Sequence, residues 1–198
     1  MKSTKPINGP RQRIIDTACE LFYEQGYRAT GINQVIKQSG VAKASFYDHF
    51  PSKDDLLNEY VCEMSRRDMQ ELREAVDEFK TPEKRFYAPL KLLKPWFEMT
   101  NFRGCPFQNA LAEIPSDNNQ VQESVRQHRK LEQKFLKELI HDYLVVDLGY
   151  KNVDCDNLAE TYMLIYEGAV ATVSSCRDLW PLKKAIETME LFVRQSAS

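Results

Sequence analysis

The strongest constraint on this chain's fold is a corner near its N-terminus. Two short segments of helical periodicity, Ile32 to Ser39 and Lys43 to Phe50, are separated by only Gly40-Val41-Ala42. Ile32, Val35 and Ile36 occupy one face of the first segment, and Phe46 and Phe50 stand at i and i+4 on the second. Gly40 supplies the backbone freedom that so sharp a turn between helices demands. Upstream, Ile14, Ala18, Leu21 and Phe22 fall at i, i+4, i+7 and i+8, the stripe of an amphipathic helix that starts at Arg11 and stops at Gly26. Thr30 or Gly31 is the N-cap of the second helix, and Ser52 caps a fourth, with Asp54 and Asp55 well placed in its first turn.

With Phe46 and Phe50 turned inward, Ala44, Ser45, Tyr47, Asp48 and His49 are left on the outside of the third helix. Small residues followed by hydrogen-bonding ones suit close approach to base edges in a major groove, as the second helix of a helix-turn-helix makes it. Charge points the same way. The whole chain has a formal net charge of −2, but residues 1–53 hold eight Lys and Arg against four Asp and Glu. That leaves the N-terminal part at +4 and the remainder at −6, the footprint of a molecule that meets phosphate with one end. Residues 1–10, with Pro6, Gly9, Pro10 and two lysines, read as a flexible basic arm.

The run from Ile14 to Leu57 resembles the DNA-binding domain of the TetR family of bacterial transcriptional regulators. The resemblance rests on Ile-Ile-Asp-Thr-Ala-Cys-Glu-Leu-Phe at 14–22 and Gly-Tyr-Arg-Ala-Thr at 26–30. It continues through Gly-Val-Ala-Lys-Ala-Ser-Phe-Tyr-Asp-His-Phe at 40–50 and Pro-Ser-Lys-Asp-Asp-Leu-Leu at 51–57. It implies phosphate contacts from Thr30, Tyr47, His49 and Lys53, which position the protein without reading sequence. It places Asn33, Gln34, Lys43, Ala44, Ser45 and Asp48 nearest the bases. Two positions depart from the pattern: Ala42 stands where relatives often have a capping Ser, and Asp48 is an acid facing DNA. Asp48 either accepts a hydrogen bond from a cytosine amino group or pairs with Arg28 or Lys43, the pairing being the favoured expectation.

Beyond residue 57 the chain continues all-α. Seven glycines in 198 residues, and long stretches rich in Leu, Glu, Lys, Gln and Ala, leave no convincing strand. A long helix is expected to about Phe79. Thr81-Pro82-Glu83 then restarts helix, and an aromatic stretch over 86–102 is broken at Pro89 and Pro95. After a loop at 116–119, one helix runs from Val121 to Leu148 with Val125, Leu131, Phe135, Leu139 and Tyr143 inward, closed by Gly149. Two more helices follow, about 157–176 and 181–195. The expectation is about nine helices in a 1–10 arm, an 11–57 DNA-binding domain and a 58–198 effector-binding and dimerisation domain.

Fifteen of the 21 aromatic residues lie beyond residue 55, the lining expected of an apolar small-molecule pocket, although a solid core has the same composition. The candidates for that pocket are Trp96, Phe97, Phe107, Asn109, Glu113, Tyr162 and Tyr166. The segment 103–115 is similar to one that borders the effector pocket in a branch of the family. The resemblance also implies that the last two helices pack against those of a second copy, making a homodimer.

Five widely spaced cysteines without a C-x-x-C imply neither a disulfide framework nor a zinc knuckle. Cys105 reads as a small buried hydrophobe, with a redox-sensing thiol the less favoured alternative. There is no apolar leader and no membrane-length run, so a cytoplasmic protein is expected. His49, His128 and His141 show no metal spacing among themselves, and no nucleophile or phosphate-loop motif appears; no enzyme, metal or cofactor is expected. The resulting expectation is a regulator released from its operator, a double-stranded DNA site, by a small-molecule effector. The alternative is a dimeric DNA-bound scaffold that recruits a protein partner without an effector.

Overall fold

The computed structural model describes residues 9–115 and 118–196. Within them the chain is all-α, with nine α-helices: α1 (Pro10–Gln25), α2 (Ile32–Ser39), α3 (Lys43–His49), α4 (Lys53–Asp77), α5 (Pro82–Met99), α6 (Pro106–Glu113), α7 (Asn119–Ile140), α8 (Cys155–Cys176) and α9 (Trp180–Gln195). A π-helical turn, His141–Asp147, extends α7. Most of the basic arm, residues 1–8, lies outside the described residues, as do 116 and 117 of the expected loop.

Two compact units result. The first runs up to Arg66 and takes in Pro106–Arg126; the second comprises Arg67–Cys105 and Gln127 onward. The single boundary expected after residue 57 differs from this division: α6 and the start of α7 cluster with the N-terminal helices.

In the first unit the periodic apolar residues are inside. Ile14, Ala18, Leu21 and Phe22 of α1, Val35 of α2, Phe46 of α3 and Leu56, Leu57 and Tyr60 of α4 are all at most 4% exposed. Phe22 meets Tyr27 and Tyr60 edge to face at 5.4 and 5.6 Å, a favoured aromatic geometry. Gly26, at φ +96°, ends α1, and Gly40, at φ +63°, makes the corner, both in the left-handed region that glycine enters without strain. Gly31 is the N-cap of α2. Ser52 and Asp55 cap α4 reciprocally: the Asp55 amide donates to the Ser52 hydroxyl oxygen and the Ser52 amide to the Asp55 carboxylate, each at 3.0 Å.

In the second unit Phe86 is the hub of an aromatic cluster, with Tyr87, Tyr143 and Tyr162 all within 5.4 Å of its ring centre. Met69, Val76, Ala88, Phe135 and Leu139 form a further apolar cluster. Residues Leu158, Tyr162, Val170 and Val173 of α8 are buried, as are Leu182, Ala185, Met189 and Val193 of α9.

Three expectations are corrected here. The stretch 86–102 is not broken at its prolines: α5 carries both Pro89 and Pro95 in its interior. Proline removes one helical hydrogen bond and costs ~3 kcal/mol in isolation, but burial of Phe86, Tyr87, Ala88, Leu90, Leu93 and Phe97 on the same helix opposes that cost. The helix expected over Val121 to Leu148 starts at Asn119 and changes pitch after Ile140, the Leu148 amide donating to the carbonyl of Tyr143 five residues back. Leu131, expected inward, is 48% exposed; the buried face of α7 instead carries His128 and Glu132.

Candidate nucleic-acid interface

On α3, Phe46 is fully buried while Lys43, Ala44, Tyr47, Asp48 and His49 are exposed and Ser45 is half-buried. Seven residues of helix thus put a single aromatic anchor inside and a row of hydrogen-bonding groups outside. The helix starts after Ala42, which offers no side-chain cap, consistent with the absence of a hydroxyl there. On α2, Asn33 is exposed, and the half-buried Gln34 donates to the Gln25 side-chain oxygen at 3.0 Å.

Thr30 is a correction. Expected to contact phosphate, it is fully buried, and its hydroxyl is committed at home, lying 2.8 Å from the Gly26 carbonyl oxygen and 3.3 Å from that of Leu21. A hydroxyl so enclosed ties the end of α1 to the start of α2. Lys53 is half-buried: its ammonium donates to the Tyr27 carbonyl at 2.5 Å and lies 4.1 Å from the centre of the Tyr27 ring. Burial pulls its pKa below the usual lysine value, against the raising influence of Glu113 and Asp54. The Tyr27 phenol bonds Asp54, and burial first, then that carboxylate, holds its pKa above the ordinary tyrosine value.

Arg28 is not the partner of Asp48. Its backbone amide donates to the Glu113 carboxylate and its Nε to the Glu113 carbonyl, both at 2.7 Å. Glu113 is the last residue of α6, so α6 is fastened to the link between α1 and α2 within the first unit. Gly26 makes the fastening possible, since a Cβ there would stand 2.7 Å from a Glu113 oxygen. In the sequence Gly26 reads as a helix stop and Glu113 as an effector contact, and no local pattern connects them.

The seven effector-pocket candidates divide between the units. Phe107, Asn109 and Glu113 belong to the first; Trp96, Phe97, Tyr162 and Tyr166 belong to the second. Phe97 and Tyr162 are fully buried in packed aromatic surroundings, Phe97 between Trp96 at 4.8 Å and Phe102 at 5.9 Å. The Tyr162 hydroxyl donates to the Phe86 carbonyl at 2.9 Å. A groove of about 460 Å³ opens between α5 and α9, lined by Lys91, Lys94, Leu182, Lys183, Ile186 and Glu190 among others, and none of the seven candidates lines it. Cys105 is buried, with the Arg129 guanidinium 3.4 Å from its sulfur.

The comparisons with known proteins fit this geometry. Residues 14–60 match the model of the family described as bacterial regulatory proteins, tetR family. Over 192 residues the chain is 26% identical to the uncharacterized HTH-type transcriptional regulator YxaF of Bacillus subtilis (strain 168), covering 93% of this chain and 95% of that one. It is 34% identical over 122 residues to the HTH-type transcriptional regulator LmrA of the same organism, covering 61% and 65%.

This is a TetR-family helix-turn-helix transcriptional regulator. The TetR-family protein SCO4454 of Streptomyces coelicolor shares the fold over 96% of this chain and 90% of its own, with a TM-score of 0.79 at 24% identity. The family is one of non-enzymatic regulators, and this member binds DNA through its helix-turn-helix. No helix among the described residues is long and apolar enough to cross a membrane.

Proposed function

We propose that this regulator acts as a homodimeric repressor in the bacterial cytoplasm, released from its operator by a small-molecule effector. On DNA, the exposed groups of α3 face the major groove: Lys43, Ala44, Ser45 and Asp48 toward the bases with Asn33 and Gln34, and Tyr47 and His49 toward phosphates. Lys53 has its ammonium shared with Tyr27 and reaches phosphate only with its remaining donors. Dimerisation through α8 and α9 is supported by the apolar residues these helices leave outside: Leu164 is 76% exposed, Trp180 56% and Leu191 56%. The repressor DhaR of Mycobacterium sp. (strain GP1), 24% identical over 181 residues, supports the sign of the output.

The observation that carries effector release is the Arg28–Glu113 fastening. A displacement of α6 pulls on the segment that leads into α2, and α2 meets α3 at the Gly40 corner. The recognition helix thus answers to α6 through two hydrogen bonds and one short helix. A coupling of ~1–3 kcal/mol, or ~5–150-fold in affinity, is what such a device needs to supply.

Small molecules that raise the melting temperature of the full chain are to be retested on its complex with duplexes selected from a random pool. The expected result is a compound that binds and lowers DNA affinity at least fivefold in the wild type and much less in Arg28→Ala combined with Glu113→Ala, which removes the Arg28 Nε donor and the Glu113 carboxylate acceptor. Compounds that bind and leave DNA affinity unchanged would favour the scaffold reading.

A further inference from the structure

The buried face of α7 holds polar chemistry that the DNA-binding reading does not use. His128 is 1% exposed and Glu132, one turn later on the same face, is 9% exposed. His128 Nε2 lies 3.4 Å from Glu132 Oε2 and 3.8 Å from Asp68 Oδ2, the latter contributed by α4. The three atoms all lie within 4.8 Å of one another, and all three residues belong to the second unit.

Two features of this arrangement suit a bound cation. A charge-assisted N–H···O bond closes to about 2.7–2.9 Å, and both separations from Nε2 exceed that. Ligand atoms bound to one tetrahedral ion at about 2.0–2.1 Å stand ~3.3 Å apart, close to the shorter observed separation. The Asp68 side chain, 42% exposed, is the least enclosed of the three.

Charge is the second feature. Arg129 bridges Glu132 at 2.6 Å and Glu167 at 2.5 Å. Asp68, Glu132 and Glu167 bring three formal negative charges together against the single positive charge of Arg129. Burying such an excess is costly, and a divalent cation cancels it. Arg129 then acts as the outer partner that orients a ligating carboxylate, as such sites usually require.

We propose that Asp68, His128 and Glu132 bind a divalent transition-metal ion of the zinc class, with one imidazole nitrogen, two carboxylate oxygens and one position left open. The mixed nitrogen and oxygen set selects against Mg²⁺, which prefers oxygen in octahedral array. The open position would take water or an oxygen donor of a small anion. This site stands independently of the effector reading above.

The test uses the full chain, stripped with a chelator and dialysed, at neutral pH. Zn²⁺ is titrated calorimetrically and Co²⁺ is followed by its visible absorption, with Mg²⁺ as the control. One Zn²⁺ per chain is expected, at low-micromolar affinity or tighter, with Co²⁺ giving the intense bands of a four-coordinate ion and Mg²⁺ giving no heat.

His128→Gln and Glu132→Gln should each weaken Zn²⁺ binding at least about a hundredfold, more than the loss of an outer partner causes. Asp68→Asn, at the most exposed of the three ligands, serves if the buried variants misfold by circular dichroism, and should weaken binding at least about tenfold. Absence of Zn²⁺ binding to the wild type overturns the proposal. So does equal binding by wild type and the folded variants, which would trace the ion to the exposed thiols of Cys62 and Cys176.

Discussion

α3 and α7 are both amphipathic, yet they dispose of their chemistry in opposite ways. α3 hides one phenylalanine and displays a lysine, a tyrosine, an aspartate and a histidine; α7 displays Leu131 and hides a histidine and a glutamate. Among described residues up to Leu57 the buried polar side chains are Thr30 and Ser39, neither of them charged. An outward row of polar groups can be reached by something as large as a duplex. Polar groups held inward can be reached only by something small, an ion or a proton. The difference between the two helices is therefore a difference in the size of what each is built to meet.

The contrast can be broken from the α3 side by removing its single anchor. Phe46→Ala should destabilise the chain by about 3–5 kcal/mol, the usual loss for a fully buried aromatic, and abolish DNA binding with it. Thermal and urea melts measure the first effect; a loss below about 1 kcal/mol would mean that α3 is held by something other than Phe46.

Gly26→Ala is next in size. It places a side chain at positive φ and against the Glu113 carboxylate, so a cost of about 1–3 kcal/mol is expected in the same melts. Were Glu113 to Ala added, the steric part of the penalty should fall and the backbone part remain.

The smallest effect sharpens the contrast from the α7 side. Leu131→Gln should change stability by no more than about 0.5 kcal/mol, because this leucine faces water. A cost near that of a core leucine, about 2–5 kcal/mol, would return Leu131 to the inner face.

How far these features were legible in the sequence follows from how local their causes are. The Gly40 corner, the Gly26 stop and the Ser52 cap are each written within a few residues, and the structure has all of them. α5 reads as broken in the sequence because proline's helix-breaking tendency is local while the burial that opposes it is tertiary. His128 and Glu132 leave no trace in the spacings among the three histidines. Yet Val121, Val125, His128, Glu132, Phe135 and Leu139 follow one helical stripe, and two polar residues inside it are a signal available from sequence. The role of Thr30 and the Arg28–Glu113 fastening could not be read, since burial and an 85-residue separation leave no local trace.

The central claim is that the outward face of α3 meets the phosphates and bases of DNA. It is tested most directly by duplex binding of Lys43→Ala beside the wild type, to the selected site and to versions of it mismatched one base pair at a time. Lys43 is exposed, so the fold should survive. The expected result is weaker binding to the selected site, by about 1–3 kcal/mol, with discrimination relaxed at the base pair that Lys43 reads. Unchanged affinity and unchanged discrimination among the duplexes would contradict it.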